Sequence, residues 1–197
     1  MEPELVWRLL VGQLFFFMIS LASVFRSGGG EAKGDVDLGG EPLWILVPLR
    51  IAGLLLWGSV LAYIFAGDMI AWGRWSLPFV VRVAGLLLAL ASLPLVMWMF
   101  KHIGLNLTVT VKTRREHDLI KTGPYRWIRH PLYTFAGATF LGIAIASGCW
   151  LTLVGWVAGG IFLVLRLPLE EQGLIERFGD EYRDYIKETG AFFPKLG

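Results

Sequence analysis

The chain has 197 residues, 55% of them hydrophobic and only 17% charged, with 18 Lys/Arg against 16 Asp/Glu. Soluble domains carry about a quarter charged residues, so this balance excludes an ordinary soluble enzyme and points to a membrane protein. Cys149 is the single cysteine, which excludes an internal disulfide framework.

A helix that crosses a bilayer needs about 20 apolar residues. The first candidate runs from Leu5 to Phe25 and is too long, with the wrong flanks, for a cleaved signal peptide. Residues 26–42 are polar and Gly-rich and read as a connection. Gly28, Gly29 and Gly30 follow no strand and precede no Gly-Lys-Ser/Thr, so they are not a phosphate loop. A second span covers Leu43 to Ala66, and a third Phe79 to Phe100 with Pro94 expected to kink it. The last apolar block, Leu132 to Leu167, is too long for one span. Ser147-Gly148-Cys149-Trp150 divides it into two short arms, a helical hairpin. Ala138, Gly142 and Ala146 on one arm, with Gly155 and Gly159 on the other, would let the two backbones approach closely. The tail, residues 168–189, reads as an amphipathic helix with Leu174, Ile175, Phe178, Tyr182, Tyr185 and Ile186 on one stripe. The expected fold is therefore all-α and polytopic, with about five transmembrane helices and a C-terminal amphipathic helix. It is a single membrane domain over 1–197.

Charge placement sets the expected orientation. Segments 26–42, 101–131 and 166–197 hold 2, 7 and 5 Lys/Arg, whereas the opposite side holds only Arg8 and Arg74. The positive-inside rule then puts the N-terminus outside and the C-terminus in the cytoplasm.

Polar chemistry has two places to sit. The first is residues 117–133, HDLIKTGPYRWIRHPLY, where Gly123-Pro124 and Pro131 force an irregular backbone. His130, directly before Pro131, is kept out of the helical region, so its ring can face a pocket. Tyr125, Trp127 and Tyr133 offer aromatic faces to a flat heterocycle; a headgroup-anchoring aromatic belt has the same composition. The second place is Arg166-Leu-Pro-Leu-Glu170-Glu171. At helical spacing Arg166 and Glu170 share a face, although Pro168 could restart the helix between them. Ionisable groups at a bilayer boundary point to function, while an arginine snorkelling to lipid phosphates is the plain alternative. Arg50 is open to the same two readings. His102, His117 and His130 lie 15 and 13 residues apart without a Cys or carboxylate cluster, which argues against a zinc site. Nothing around the basic loop suggests nucleic-acid binding.

Residues 117–137, HDLIKTGPYRWIRHPLYTFAG, with RLPLEEQGLIERFGDEYRDYI at 166–186, resemble the isoprenylcysteine carboxyl methyltransferase family. Gly104-Leu-Asn-Leu-Thr108 is similar to a segment that family carries upstream. The chain departs from the pattern at Thr134-Phe135, where a glycine often follows the tyrosine. Related segments occur in membrane phospholipid and thiol methyltransferases and, more distantly, in NADPH-dependent sterol reductases.

The resemblance implies S-adenosylmethionine as methyl donor, with S-adenosylhomocysteine as product, held by a cofactor-binding and catalytic half at 101–197. His117, Asp118, Leu119, Ile120, Tyr125, His130, Pro131 and Tyr133 would surround the cofactor, with Glu170 at its polar end. Arg166 would be the catalytic residue, set against the substrate carboxylate. The implied acceptor is a lipidic or prenylated carboxylate reached from the bilayer among membrane lipids, with no metal. A phospholipid amine or a small thiol remains the alternative acceptor.

Overall fold

The computed structural model describes residues 3–27, 42–103 and 119–195. His117, Asp118 and the Gly104–Thr108 segment lie outside the described residues. The helices are α1 (Pro3–Ser27), α2 (Leu43–Phe65), α3 (Phe79–Ile103), α4 (Pro131–Ser147), α5 (Trp150–Phe178) and α6 (Asp180–Glu188). α1, α2, α3 and α5 are long and apolar enough to cross a membrane, and α4 is a shorter apolar helix of 17 residues. Leu54, Phe79 and Val80 are among many large apolar side chains left exposed, as expected of helices whose outer surface meets lipid. The expected all-α, polytopic architecture is what the chain forms.

The hairpin turns where Ser147-Gly148-Cys149-Trp150 suggested. Gly148 sits at φ 66°, a left-handed conformation that glycine adopts without a Cβ penalty. The small residues, however, do not serve the contact between its two arms. A Cβ on Gly142 would lie 2.6 Å from the Ala89 nitrogen, so α4 lies against α3. A Cβ on Gly155 would lie 2.7 Å from the Leu56 nitrogen, so α5 lies against α2. Buried hydroxyl pairs repeat this pairing: Ser92–Thr139 at 2.7 Å and Ser59–Thr152 at 2.9 Å. With lipid replacing water outside, close packing and such bonds are what hold helices together.

α3 runs on through Pro94, and one expectation is corrected: α5 also runs on through Pro168, so no separate tail helix begins at 168. In α5 the Arg166–Glu170 ion pair, 3.1 Å long, bridges the proline turn along the helix, and a transmembrane helix tolerates the lost donor when neighbours supply substitutes. The break comes later, at Gly179, with φ 60°. The apolar and aromatic stripe is thus divided between the end of α5 and α6.

At the end of the bundle where α1 begins, Glu4 joins Arg74 at 2.9 Å, Arg82 at 2.8 Å and the Tyr63 hydroxyl at 2.7 Å. Arg82 also donates to the Ala146 carbonyl, which ties α1, α2, α3 and α4 together. The starts of α2 and α4 and the 166–171 segment gather at the opposite end.

Candidate active site

Pro131 opens α4 immediately after His130, whose φ of −120° and ψ of 59° lie outside the helix. That bend turns the imidazole onto the Tyr133 ring, the two stacked 5.6 Å apart with planes 6° from parallel. The Tyr133 hydroxyl donates to Glu170 at 2.7 Å, and Arg166 holds the same carboxylate oxygen. His130 faces both acids, with Nδ1 3.7 Å from Glu170 and Nε2 3.4 Å from Glu171. Four expected site residues, His130, Tyr133, Arg166 and Glu170, are therefore in one cluster, and Pro131 sets its entry.

The other expected residues lie elsewhere. Tyr125 packs with Met99 and Phe100 in an apolar core that Ile120 borders, and Leu119 lies in the loop before it. Arg50 is exposed.

Arg129 is a component that sequence reasoning passed over, and it brings Glu171 of the 166–171 segment into the cluster. The Arg129 side chain is only 9% exposed and donates to Glu171 at 2.7 Å through Nε. Its Nη1 reaches the carbonyls of Ile186 and Thr189. The adjacent backbone continues the fastening: Arg129 N–H donates to Gly190 and His130 N–H to Ala191, each at 2.9 Å. The Thr134 hydroxyl donates to the Phe192 carbonyl at 2.8 Å. These bonds lay residues 189–192 back along the start of α4 and set the Phe192 ring 6.2 Å from His130 and 6.4 Å from Tyr133. The only sequence signal for Arg129 was adjacency to His130; the 189–192 strap has no periodic pattern.

α6 is docked by two buried phenols. Tyr185 donates to the Tyr125 carbonyl, and Lys121 pairs with Glu181 at 2.9 Å. Burial pushes the Tyr125 and Tyr185 phenols above the usual tyrosine range, and burial together with the nearby Glu171 charge does the same to Tyr182.

An apolar groove of about 600 Å³ begins beside this cluster. Leu49, Ala52, Gly53 and Leu56 of α2 form one wall, and α4 from Leu132 to Leu141 forms another. Gly155 to Val164 of α5 provide the floor, and Tyr133 and Phe192 stand at the polar end. Gly160 and Val164 are exposed, so one side of the groove is open to the exterior of the bundle. Because α2 lines it, the site draws on both halves of the chain.

The phospholipid methyltransferase family matches residues 80–181, just over half of the sequence and all of the ionic cluster. The chain belongs to that family. Its relatives divide in their descriptions. It is 36% identical over 89 residues to the nickel-cobalt-cadmium resistance protein NccN of Alcaligenes xylosoxydans xylosoxydans, covering 44% of this chain and 40% of that protein. It is 38% identical over 93 residues to the protein-S-isoprenylcysteine O-methyltransferase of Saccharomyces cerevisiae, covering 43% and 36%. This family member therefore spans less than two thirds of the length of these curated relatives. The eukaryotic intramembrane Ras methyltransferase ICMT (isoprenylcysteine carboxyl methyltransferase) superposes with a TM-score of 0.57 at 20% identity, over 98% of this chain and 68% of that one. The shared fold extends through the first three helices. The likeness to isoprenylcysteine carboxyl methyltransferases read from the motifs is borne out.

Proposed function

We propose that this protein transfers a methyl group from S-adenosylmethionine to the carboxylate of a lipidic acceptor, with S-isoprenylcysteine the favoured class. The observation that carries this reading is the contact between an ionic, aromatic cluster and an apolar groove. One half suits a polar, cationic cofactor and the other a hydrocarbon chain.

The residues present fit the cofactor. Glu170 and Glu171 are two carboxylates 15% and 18% exposed, set beside the stacked His130 and Tyr133 rings. Carboxylates and aromatic faces are the groups that favour a cation. We assign Glu170, Tyr133, His130 and Pro131 to this role. The family resemblance extends it to His117, Asp118, Leu119 and Ile120, within 101–197, while Tyr125 packs in the adjoining core. Bound S-adenosylmethionine supplies an electrophilic methyl on a sulfonium.

The protein's own contribution is alignment and exclusion of water. A free α-carboxylate has a pKa of about 3.5 and is ionised at neutral pH, so no general base is required. Arg166, 12% exposed, holds the Glu170 carboxylate that Tyr133 of the groove's polar end also meets, and we assign it to the acceptor carboxylate. A guanidinium has five N–H donors in a planar fork, which lets it hold Glu170 and orient an acceptor carboxylate together. Positioning of this kind accounts for up to about 7–11 kcal/mol of a barrier. Phe192 and the strap that carries it cover the junction from water.

An amine or thiol acceptor must lose a proton, and the His130–Glu171 pair is the arrangement that could take it. The asymmetry of Lys/Arg supports a cytoplasmic site and C-terminus with the N-terminus outside. Transfer of labelled methyl to a panel of prenylcysteines, phosphatidylethanolamine and short thiols tests the reading. Carboxyl transfer should keep its rate as pH falls from about 8 to 6, where an acceptor that needs a His or carboxylate base would lose rate, and no transfer to any member of the panel would refute it.

A further inference from the structure

α6 carries two buried phenols that differ in one respect. Tyr185, 3% exposed, donates to the Tyr125 carbonyl. Tyr182, 1% exposed, stands against it with the rings 5.8 Å apart and 61° from parallel. Its hydroxyl is fully enclosed, yet it meets no hydrogen-bond partner among the described residues. A buried polar group left in this way costs its full desolvation, and native proteins keep few of them.

The hydroxyl lies beside the acids. Tyr182 is one helical turn before Ile186, whose carbonyl receives Arg129 Nη1, so both residues share the face of α6 that Arg129 covers. Arg129 in turn holds Glu171 at 2.7 Å. Of the surrounding charges, Glu171 acts on the phenol most strongly, ahead of Arg129 and Glu170. The bonds that Glu171 receives both fall on Oε1, from Arg129 at 2.7 Å and His130 at 3.4 Å. Its Oε2 receives none among the described residues. A spare donor and a spare acceptor are thus neighbours without being bonded to each other. The terminal torsion of a glutamate is soft, so the carboxylate can turn without moving its helix. Glu171, 18% exposed, keeps part of its surface open to a ligand, whereas the enclosed Tyr182 hydroxyl does not.

We propose that Tyr182 is a positioning residue for the cofactor: its hydroxyl donates to Glu171 when the cofactor's cationic end occupies the acid pair, and fixes the carboxylate there. This rests on the cofactor assignment made above. A phenol suits the place. Burial, and next the Glu171 charge, push it above the usual tyrosine range, so it stays protonated and can donate. It also adds no charge to a cluster in which Arg129 and Arg166 already balance the two acids.

The test is Tyr182→Phe, which removes only the hydroxyl, in the full chain in lipid nanodiscs. Calorimetry with S-adenosylhomocysteine should show affinity falling by about 10- to 100-fold, the worth of a hydrogen bond to a charged group. KM for S-adenosylmethionine should rise alike while kcat changes by less than about threefold. The Tm of the ligand-free chain should instead rise, by about 2–4 °C, because an unpaired buried group is gone. A merely structural tyrosine would not move the two states in opposite directions. In a Glu171→Gln background the effect of Tyr182→Phe on affinity should shrink below about threefold. Unchanged affinity in Tyr182→Phe overturns the positioning role alone, and so does a lower ligand-free Tm. An equal fall in both backgrounds overturns the route through Glu171. Failure of the unmodified chain to bind S-adenosylhomocysteine overturns the cofactor assignment and this role with it.

Discussion

Replacing Arg166 by lysine separates the acceptor from the cofactor. Arg166 is 12% exposed and holds Glu170 at 3.1 Å across one helical turn. Alanine would be a poor probe, because it leaves the buried Glu170 carboxylate without its cation, at a cost of about 3–5 kcal/mol for a fully buried pair. Lysine keeps the charge beside Glu170 but loses the planar fork that orients a carboxylate. The expected loss is one charge-assisted hydrogen bond in the transition state, about 1.5–3 kcal/mol. That corresponds to roughly a 10- to 150-fold fall in kcat/KM. The assay is methyl transfer to S-farnesylcysteine, paired with calorimetric binding of S-adenosylhomocysteine, which should change by less than about threefold. Unchanged turnover would remove Arg166 from the reaction. Equal losses of turnover and product binding would show that it acts on the cofactor through Glu170.

Three further outcomes are expected. Arg129→Ala should destabilise the protein by about 3 kcal/mol, since it takes the guanidinium from Glu171 and the donor from the strap carbonyls; thermal unfolding and amide exchange over 180–192 would measure it, and unchanged exchange there would contradict the fastening described. Gly142→Ala should lower the Tm by the equivalent of about 1–3 kcal/mol through collision with α3. Gly58→Ala, whose Cβ meets no atom within 4 Å, should leave the Tm unchanged or slightly higher, and equal behaviour of the two variants would refute the packing argument. α6 should detach only in alkali: the tyrosines that dock it have raised pKa values in the folded state, so unfolded chains lose protons first. Stability then falls as pH rises above about 10, the ordinary tyrosine value. Phenolate absorbance and exchange over 180–188 should rise together there, and detachment near neutral pH would contradict the assignment.

Much of the helical plan was legible because a bilayer demands long apolar runs, and Gly148 is punctuation that needs no tertiary knowledge. Pro168 misled because a rule for isolated helices ignores neighbours: α5 continues through it, with the Arg166–Glu170 pair spanning that turn. The small residues were recognised as packing surfaces but assigned to the wrong partners, since periodicity names a face and not what lies against it.

The sequence by itself determined an all-α membrane chain, its turn at Gly148, and the motif residues His130, Tyr133, Arg166 and Glu170. Only the tertiary structure decided that Tyr125 packs inward while Arg129 and Glu171 join the cluster, that residues 189–192 fold back over α4, and that α2 walls the groove. Local patterns encode which face of a helix is apolar or charged. Which faces meet depends on contacts between segments far apart in the chain, and those are written in no single stretch.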